Sequence, residues 1–287
     1  MNIKITRIVF SFIVIAFISN TIQAQVDSLS IKNKQKPTTW QLLKTDGGAA
    51  WGGLKYAYSR PLHWKKKQWL TAGAVVGGTA LLYLVDDNTN RYFRKQNTDV
   101  PPFLKKFGWR SGSPQIAYGV TGSVYMFGLL TKNEKVRKTG VLMITSATAA
   151  GFIQTFAKAA VGRARPGAGL GKDTFKPYSG EARFRSFPSG HTILAFTAAY
   201  SIGKQFDNPW AKAGIYAVGM IAPVSRLWSG AHWLTDVALS MAISVATVDA
   251  IDRYLNTSGT YNNTKKGTQV SWNLNVGVGQ IGLVGTF

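Results

Sequence analysis

Six apolar segments constrain the fold of this chain more than any other feature of its sequence. They cover residues 69–85, 114–131, 139–158, 191–204, 210–227 and 234–251. Most are 16 to 20 residues long, which favours helices, because strands are usually much shorter. All are rich in Ala, Gly, Ser and Thr, the small residues that allow helices to pack closely. We therefore predict an all-α fold, a six-helix bundle.

These segments only partly satisfy the requirements of membrane spans. A span needs about 20 mostly apolar residues, and the mean hydropathy of the chain is −0.01. The loops are basic on both sides of the bundle if every segment spans, so loop charge gives no orientation. If all the early segments cross, Lys158 faces the cytoplasm. A membrane bundle and a water-soluble bundle both remain open.

The N-terminal residues have the pattern of a secretory signal peptide. In residues 1–24, Lys4 and Arg7 precede an apolar run, and Ala24 supplies a small residue before a cleavage point. An uncleaved anchor helix is the alternative. We expect residues 25–50 to form a polar, loosely held tail.

The helical domain is expected over residues 51–255. Aromatic and lysine side chains interleave from residue 51 to residue 69, which is typical of a membrane interface. Residues 256–287 are predicted to form a linker and a short C-terminal β-hairpin. Apolar residues alternate with polar or small ones there and resume after Gly279-Gln280.

Charge and composition limit the chemistry. The net charge is +22, from 34 basic and 12 acidic residues, and it implies an anionic partner: a phosphorylated substrate, anionic membrane lipids or nucleic acid. Nucleic acid is not predicted, because no nucleic-acid-binding motif accompanies the charge. The absence of cysteine excludes disulfides and thiol nucleophiles. Three histidines are too few for a binuclear metal site, so we predict chemistry without a metal or cofactor.

Two basic residues near the middle of the chain form the first motif. Lys158 and Arg165 stand seven positions apart and precede Pro166. Seven positions correspond to about two turns of a helix, so both side chains would project from one face. Proline would end the helix beyond them.

The second motif is Ser-Phe-Pro-Ser-Gly-His, residues 186–191. A proline followed by two small residues brings the backbone close to a ligand. If a helix begins here, its first N–H groups are unpaired and its dipole favours an anion. His191 would then stand on the opening turn. A plain turn into a buried helix is the alternative for these six residues alone.

The third motif contains Ser225-Arg226, followed by His232 and Asp236. The last two are four positions apart, which places them on one face of a helix. A carboxylate beside an imidazole holds the ring in one tautomer and stabilises its positive form, as in the acid–base pairs of hydrolases.

Together, the three motifs resemble the signature of the type-2 phosphatidic acid phosphatase superfamily. Its elements Lys-x6-Arg-Pro, Pro-Ser-Gly-His and Ser-Arg-x5-His-x3-Asp are matched at every specified position over residues 158–236. The helical pattern extends the likeness to about residues 60–255. The superfamily also includes bacterial non-specific acid phosphatases and vanadium haloperoxidases.

The resemblance implies a role for each matched residue. His232 would be the nucleophile that forms a phosphohistidine, Asp236 would orient it, and His191 would protonate the leaving group. A phosphate clamp would consist of Lys158, Arg165, Ser189, Gly190 and Arg226.

The function predicted from these residues is a metal-independent phosphatase that acts on lipid phosphate or diphosphate monoesters. Candidates are phosphatidate, phosphatidylglycerophosphate, a polyprenyl diphosphate and a phosphorylated glycolipid. We expect it in the bacterial cell envelope, associated with the membrane and facing the periplasm. Alternatives are a soluble periplasmic acid phosphatase, a vanadate-dependent haloperoxidase and an inactive scaffold that binds anionic lipid. The oligomeric state is left open.

Overall fold

The computed structural model describes residues 37–261, 271–277 and 280–286. The predicted signal peptide and the first part of the predicted tail lie outside these residues. So do most of the predicted linker and the first residue of the Gly279-Gln280 turn. The chain divides into two units, Met1–Thr38 and Thr39–Phe287. The description below concerns the second unit.

The described residues form nine α-helices and two β-strands. The helices are α1 (Thr39–Ser59), α2 (Lys66–Leu82), α3 (Asp86–Gln96), α4 (Pro102–Ser111), α5 (Pro114–Leu130), α6 (Glu134–Val161), α7 (Gly190–Gly203), α8 (Pro209–Trp228) and α9 (Leu234–Thr257). Short 3-10 turns cover Arg60–His63, Tyr83–Val85, Pro166–Ala168 and Ala182–Phe184. The strands β1 (Ser271–Gly277) and β2 (Gln280–Thr286) pair antiparallel, with Gly277 opposite Gln280.

The predicted helical architecture is found, but six helices is an undercount. The six apolar segments correspond to α2, α5, α6, α7, α8 and α9. The described residues also contain α1, α3 and α4. The 3-10 turn Tyr83–Val85 joins α2 to α3 in one nearly continuous stretch. Helix α3 was not predicted because its sequence is almost entirely polar and has no apolar periodicity.

Helices α6, α7 and α9 pack on one another, and α1 lies against α6 and α9. Their shared core contains the buried residues Ala49, Val141, Leu142, Ala149, Val248, Ile251, Leu255 and Tyr261. Glycines bring the neighbouring helix α5 very close to α6. A Cβ on Gly140 would lie 2.6 Å from Tyr125 Cα, so a larger residue would push these two helices apart.

Helix α1 corrects the prediction of a polar tail over residues 25–50, because the chain is helical and packed from Thr39 onward. Asp46 on α1 is only 2% exposed. Its carboxylate lies 2.7 Å from Arg137 Nε and accepts hydrogen bonds from the hydroxyls of Tyr125 and Tyr261. A buried carboxylate needs such partners. Asp46 therefore anchors α1 within the segment that was predicted to be a loosely held tail.

Three helical stretches have the length and apolar composition needed to cross a membrane: Lys66–Gln96, Glu134–Val161 and Leu234–Thr257. Helix α2, in the first of these, has no buried residue. Its Leu70 and Leu81 are 64% and 68% exposed. An apolar helix exposed along its length is suited to lipid rather than to water. These helices are those of a membrane protein.

Candidate active site

The first motif lies where α6 ends. Lys158 is in the last turn, and Gly162, with φ of +59°, stops the helix by donating its N–H to the Lys158 carbonyl at 3.3 Å. A Cβ at Gly162 would overlap the Lys176 carbonyl, so only glycine fits this turn. The helix therefore ends before Arg165, and the prediction that Lys158 and Arg165 share a helix face is wrong.

The loop after α6 nevertheless brings these two cations together. Lys158 Nζ donates to the Arg185 carbonyl at 2.8 Å, and Arg165 Nη2 donates to the same oxygen at 3.4 Å. The backbone N–H of Arg165 is fixed by the Arg183 carbonyl at 2.8 Å. Arg165 Nε is buried without a hydrogen-bond partner in the described residues. Donors of both side chains thus remain available to an anion.

The second motif forms the start of α7, as the sequence predicts. Ser189 is the N-cap, with its hydroxyl accepting from the Thr192 N–H at 3.4 Å, and its own N–H donates to Ser240 Oγ at 2.7 Å. The Phe187–Pro188 peptide bond is cis. Because the Ser189 hydroxyl is used as a cap, the first N–H groups of the helix, starting with Gly190, are the donors that the helix leaves unpaired.

His191 stands on the first turn of α7, against the end of α4. A Cβ on Gly112 would lie 2.7 Å from His191 Cβ, and the Trp109 ring centroid lies 6.3 Å from that of the imidazole. His191 Nε2 is buried without a partner in the described part of the chain. Burial lowers the pKa of His191 to about 4, and the positive charge of Arg226 acts in the same direction.

The third motif begins near the C-terminal end of α8. Arg226 is 6% exposed, and its guanidinium donates to Ser225 Oγ at 3.1 and 3.2 Å. Burial lowers the pKa of Arg226 to about 10, with a contribution from the charge of Arg165. Arg226 therefore remains a cation at neutral pH, and it lies within electrostatic range of the first motif.

His232 and Asp236 pair in a way that corrects the prediction. His232 precedes α9 and is not on the helix, whereas Asp236 is in its first turn. The Asp236 carboxylate turns back and accepts from the Trp233 N–H at 2.9 Å, and the same Oδ2 lies 3.6 Å from His232 Nδ1. Burial lowers the pKa of His232 to about 4, although Asp236 opposes this shift. The predicted pairing is present, but the start of a helix creates it rather than a helix face.

A buried network that the sequence analysis did not predict holds Asp236 in place. Arg163 donates to Asp236 Oδ1 at 2.9 Å and to Asp86 Oδ2 at 2.8 Å. Thr235 Oγ1 donates to Asp86 Oδ2 at 2.6 Å, and Ser186 Oγ donates to Asp236 Oδ2. All five side chains are 2% exposed or less. Arg163 offered one signal in the sequence, because it stands among small and apolar residues inside the first motif.

The three motifs meet at one site. The Ser189 N–H of the second motif approaches the Asp236 carbonyl at 3.5 Å, and Arg163, inside the first motif, donates to Asp236 Oδ1 at 2.9 Å. Within the third motif, the His232 N–H approaches the Arg226 carbonyl at 3.4 Å. Consistent with these contacts, the pKa of His191 is lowered by burial and then by the charges of Arg226, His232, Arg165 and Lys158. Among the described residues, no three His, Asp or Glu side chains are close enough to hold a metal ion. A phosphate bound here would be neutralised by guanidinium and ammonium groups.

Comparisons with known proteins agree with this arrangement. Residues 139–258 match the family model of the PAP2 superfamily. The lipid A 1-phosphatase of Rhizobium etli is 36% identical over 107 residues, which are 36% of this chain and 44% of that protein. The enzyme of the same name from Porphyromonas gingivalis is 32% identical over 62 residues, which are 21% of this chain and 14% of that protein. The chain spans less than half the length of these relatives.

Two solved structures are also similar. The crystal structure of Aquifex aeolicus LpxE has a TM-score of 0.40 and 21% identity, with 56% of this chain and 93% of that chain covered. The PAP2-type phosphatidylglycerolphosphate phosphatase of Bacillus subtilis has a TM-score of 0.47 and 18% identity, with 64% and 94% covered. The resemblance inferred from the three motifs is confirmed by the family match, because residues 139–258 contain all three motifs.

Proposed function

We propose that this protein is a metal-independent phosphatase that removes phosphate from a phosphorylated lipid through a phosphohistidine on His232. The observation that carries the proposal is the meeting of two imidazoles and three cations from three separate motifs in one buried site. Phosphoryl transfer requires little more from a protein than positioning and charge stabilisation around the equatorial oxygens.

The phosphate clamp consists of Lys158, Arg165 and Arg226, together with the first N–H groups of α7. Arg165 Nε is buried without a partner among the described residues, as expected for a donor that is satisfied by substrate. Gly190 opens the helix at its positive end, where the dipole stabilises an anion. Ser189 contributes by capping that helix and fixing its direction.

His232 is the proposed nucleophile. The Asp236 carboxylate, with Oδ2 3.6 Å from Nδ1, favours a proton on that nitrogen, which leaves the lone pair of Nε2 free to attack phosphorus. The lowered pKa of His232 keeps the ring neutral at neutral pH, which a nucleophile requires. As the N–P bond forms, the bond from phosphorus to the leaving oxygen breaks.

His191 is the proposed acid for the departing oxygen. The pKa of His191 is about 4, so the ring is neutral at pH 7. A bound phosphate offsets the surrounding positive charges and raises that pKa, which allows the ring to carry the proton it donates. In the second step the same ring, now neutral, takes a proton from water as the water cleaves the N–P bond.

Several features support a lipid substrate. Helix α2 exposes apolar side chains along its whole length. An apolar cavity of about 400 Å³ is lined by Tyr58, Phe152, Ile153, Phe156 and Ala157. The relatives are lipid A 1-phosphatases, so we propose a phosphorylated glycolipid among the candidate substrates.

We also propose that residues 1–24 direct the chain to the cell envelope and that the site faces the periplasm. The exposed apolar helices do not favour a soluble acid phosphatase.

The test is phosphate release by the full chain in neutral detergent with a chelator present. We expect the protein to hydrolyse a glycolipid phosphate dispersed in the detergent. We also expect a phosphohistidine to be detectable on the protein when the reaction is stopped without acid, because acid hydrolyses that intermediate. His232→Gln should abolish both. His63→Gln is the matched control, because His63 is exposed and bonded only to the Ser59 carbonyl among the described residues. Dependence on added divalent metal, or substantial activity in His232→Gln, would contradict the proposal.

A further inference from the structure

Helix α3 carries a basic cavity that has no role in the mechanism above. The cavity has a volume of about 380 Å³ and is lined by Asn90, Arg91, Arg94 and Lys95. Its three cationic side chains are exposed. The cavity is open to the surface, so a group much larger than water can enter it.

These cations have no acidic partners in the described part of the chain. None of them takes part in an ion pair there. Among the described residues, Arg91 donates only to the Asn88 side-chain oxygen, and Asn90 Oδ1 is buried without a partner. The carboxylates of α3 are turned elsewhere, because Asp86 binds Arg163 and Asp87 binds Lys172. Cations near a helix C-terminus stabilise its dipole, but Arg91 stands before the last turn, so capping does not account for the cluster.

The cavity lies beside the catalytic loop. The Arg94 side chain packs against Gly230, where a Cβ would come within 3.4 Å of Arg94 Cδ and Nε. Gly230 stands between Arg226 and His232 in the chain, and its carbonyl accepts from the Gly167 N–H at 2.8 Å. Trp228 Nε1 donates to Gln96 Oε1 at 3.2 Å, which ties α3 to the end of α8. The cluster is therefore fixed relative to the phosphate clamp.

We propose that this cavity binds a second anionic group of the phosphatase substrate, a phosphate or similar oxyanion on the same lipid. The inference rests on the proposed function, because it needs a lipid phosphate in the catalytic site. Arg91 and Arg94 supply guanidinium forks, which suit a phosphate, and Lys95 adds a third charge. The site thus selects lipids that carry two anionic groups over those that carry one.

The experiment compares two substrates in neutral detergent micelles. One is a synthetic disaccharide lipid with a single phosphate, and the other is the same lipid with a second phosphate on the distal sugar. Arg94→Gln should raise KM for the doubly phosphorylated lipid about tenfold, the size expected of one lost charge-assisted contact, with kcat unchanged. For the singly phosphorylated lipid, Arg94→Gln should have the same KM and kcat as the unaltered protein.

The control is Lys106→Gln, which removes the same charge from an exposed lysine on α4 that does not line the cavity. It should leave both substrates unaffected. The inference would be overturned if Arg94→Gln lowered the activity on both lipids equally. It would also be overturned if the substitution lowered the activity on neither lipid. Continued hydrolysis of the singly phosphorylated lipid would show in each case that the proposed function itself stands.

Discussion

Replacing Asp236 with Asn tests whether the carboxylate controls the proton on His232. The substitution keeps the size of the side chain but turns one oxygen into an N–H donor. Oδ1 accepts from Arg163, and Oδ2 accepts from Ser186 and the Trp233 N–H and faces His232 Nδ1. Every one of these partners offers a proton. Whichever way the amide turns, an N–H group therefore meets another donor.

Two magnitudes follow for Asp236→Asn. Removing one partner of a buried ion pair costs about 3–5 kcal/mol, and because Arg163 keeps Asp86 as a second partner, we expect the lower end, about 3 kcal/mol. If the amide N–H turns toward His232, Nδ1 must accept and the ring proton moves to Nε2, which loses its nucleophilic lone pair. The corresponding substitution in a Ser-His-Asp triad lowers kcat about ten-thousandfold, and we expect a loss of similar order.

The assay is single-substrate kinetics in detergent, well below the midpoint of thermal unfolding, with the unfolding midpoint measured separately. Asp249→Asn is the control, because Asp249 is 48% exposed and paired with Lys204 on the surface. That pair is worth at most about 1 kcal/mol, and its loss should not change kcat. A folded Asp236→Asn protein with kcat within tenfold of the unaltered enzyme would refute the role given to this carboxylate.

Two further predictions concern His191 and the pair of imidazoles. Gly112→Ala should lower kcat at least tenfold and reduce stability by about 1–3 kcal/mol, because its Cβ would lie 2.7 Å from His191 Cβ. Gly119→Ala, with nothing within 4 Å of its Cβ, should change neither kcat nor the unfolding midpoint. His191 and His232 have a pKa of about 4 when folded, whereas an unperturbed histidine has a pKa of about 6.5. The unfolded chain therefore takes up protons first as pH falls. The unfolding midpoint should therefore drop between pH 6.5 and 4, and the drop should be smaller in a double variant with Gln at both positions; an unchanged drop would contradict these pKa values.

The helices that the sequence predicts are those with a continuous apolar run, whereas α1 and α3, which it does not predict, each bury one carboxylate in a specific ion pair. Asp46 lies in the segment predicted to be a tail, yet it is paired with Arg137 across 91 positions of the chain. Asp86 likewise begins the polar helix α3 and is bonded to Arg163 across 77 positions. Local periodicity contains no information about partners so distant in the chain, so these elements could not be predicted from it.

The site shows the same limit at a smaller scale. Residue types and spacing were enough to group Lys158, Arg165, His232 and Asp236 in one site. They were not enough to show how, because Gly162 ends α6 before Arg165 and His232 precedes α9. Spacing of four or seven was interpreted as a helix face. In both motifs the contact is instead made across a helix terminus, where the backbone turns and the spacing rule does not apply.

Helix termini also explain why the site tolerates so much buried charge. Asp86 begins α3, Arg163 follows the end of α6, and Asp236 lies in the first turn of α9. Ser186 precedes α7 and bonds to Asp236. One buried cluster thus joins four helix ends, so the residues that hold Asp236 beside His232 also fix the helices that carry Lys158 and His191. Because unpaired charge in this cluster is costly, the helices cannot separate at this end without disrupting the network. The apolar lengths of the helices can then serve the membrane while their ends keep the geometry that phosphoryl transfer requires.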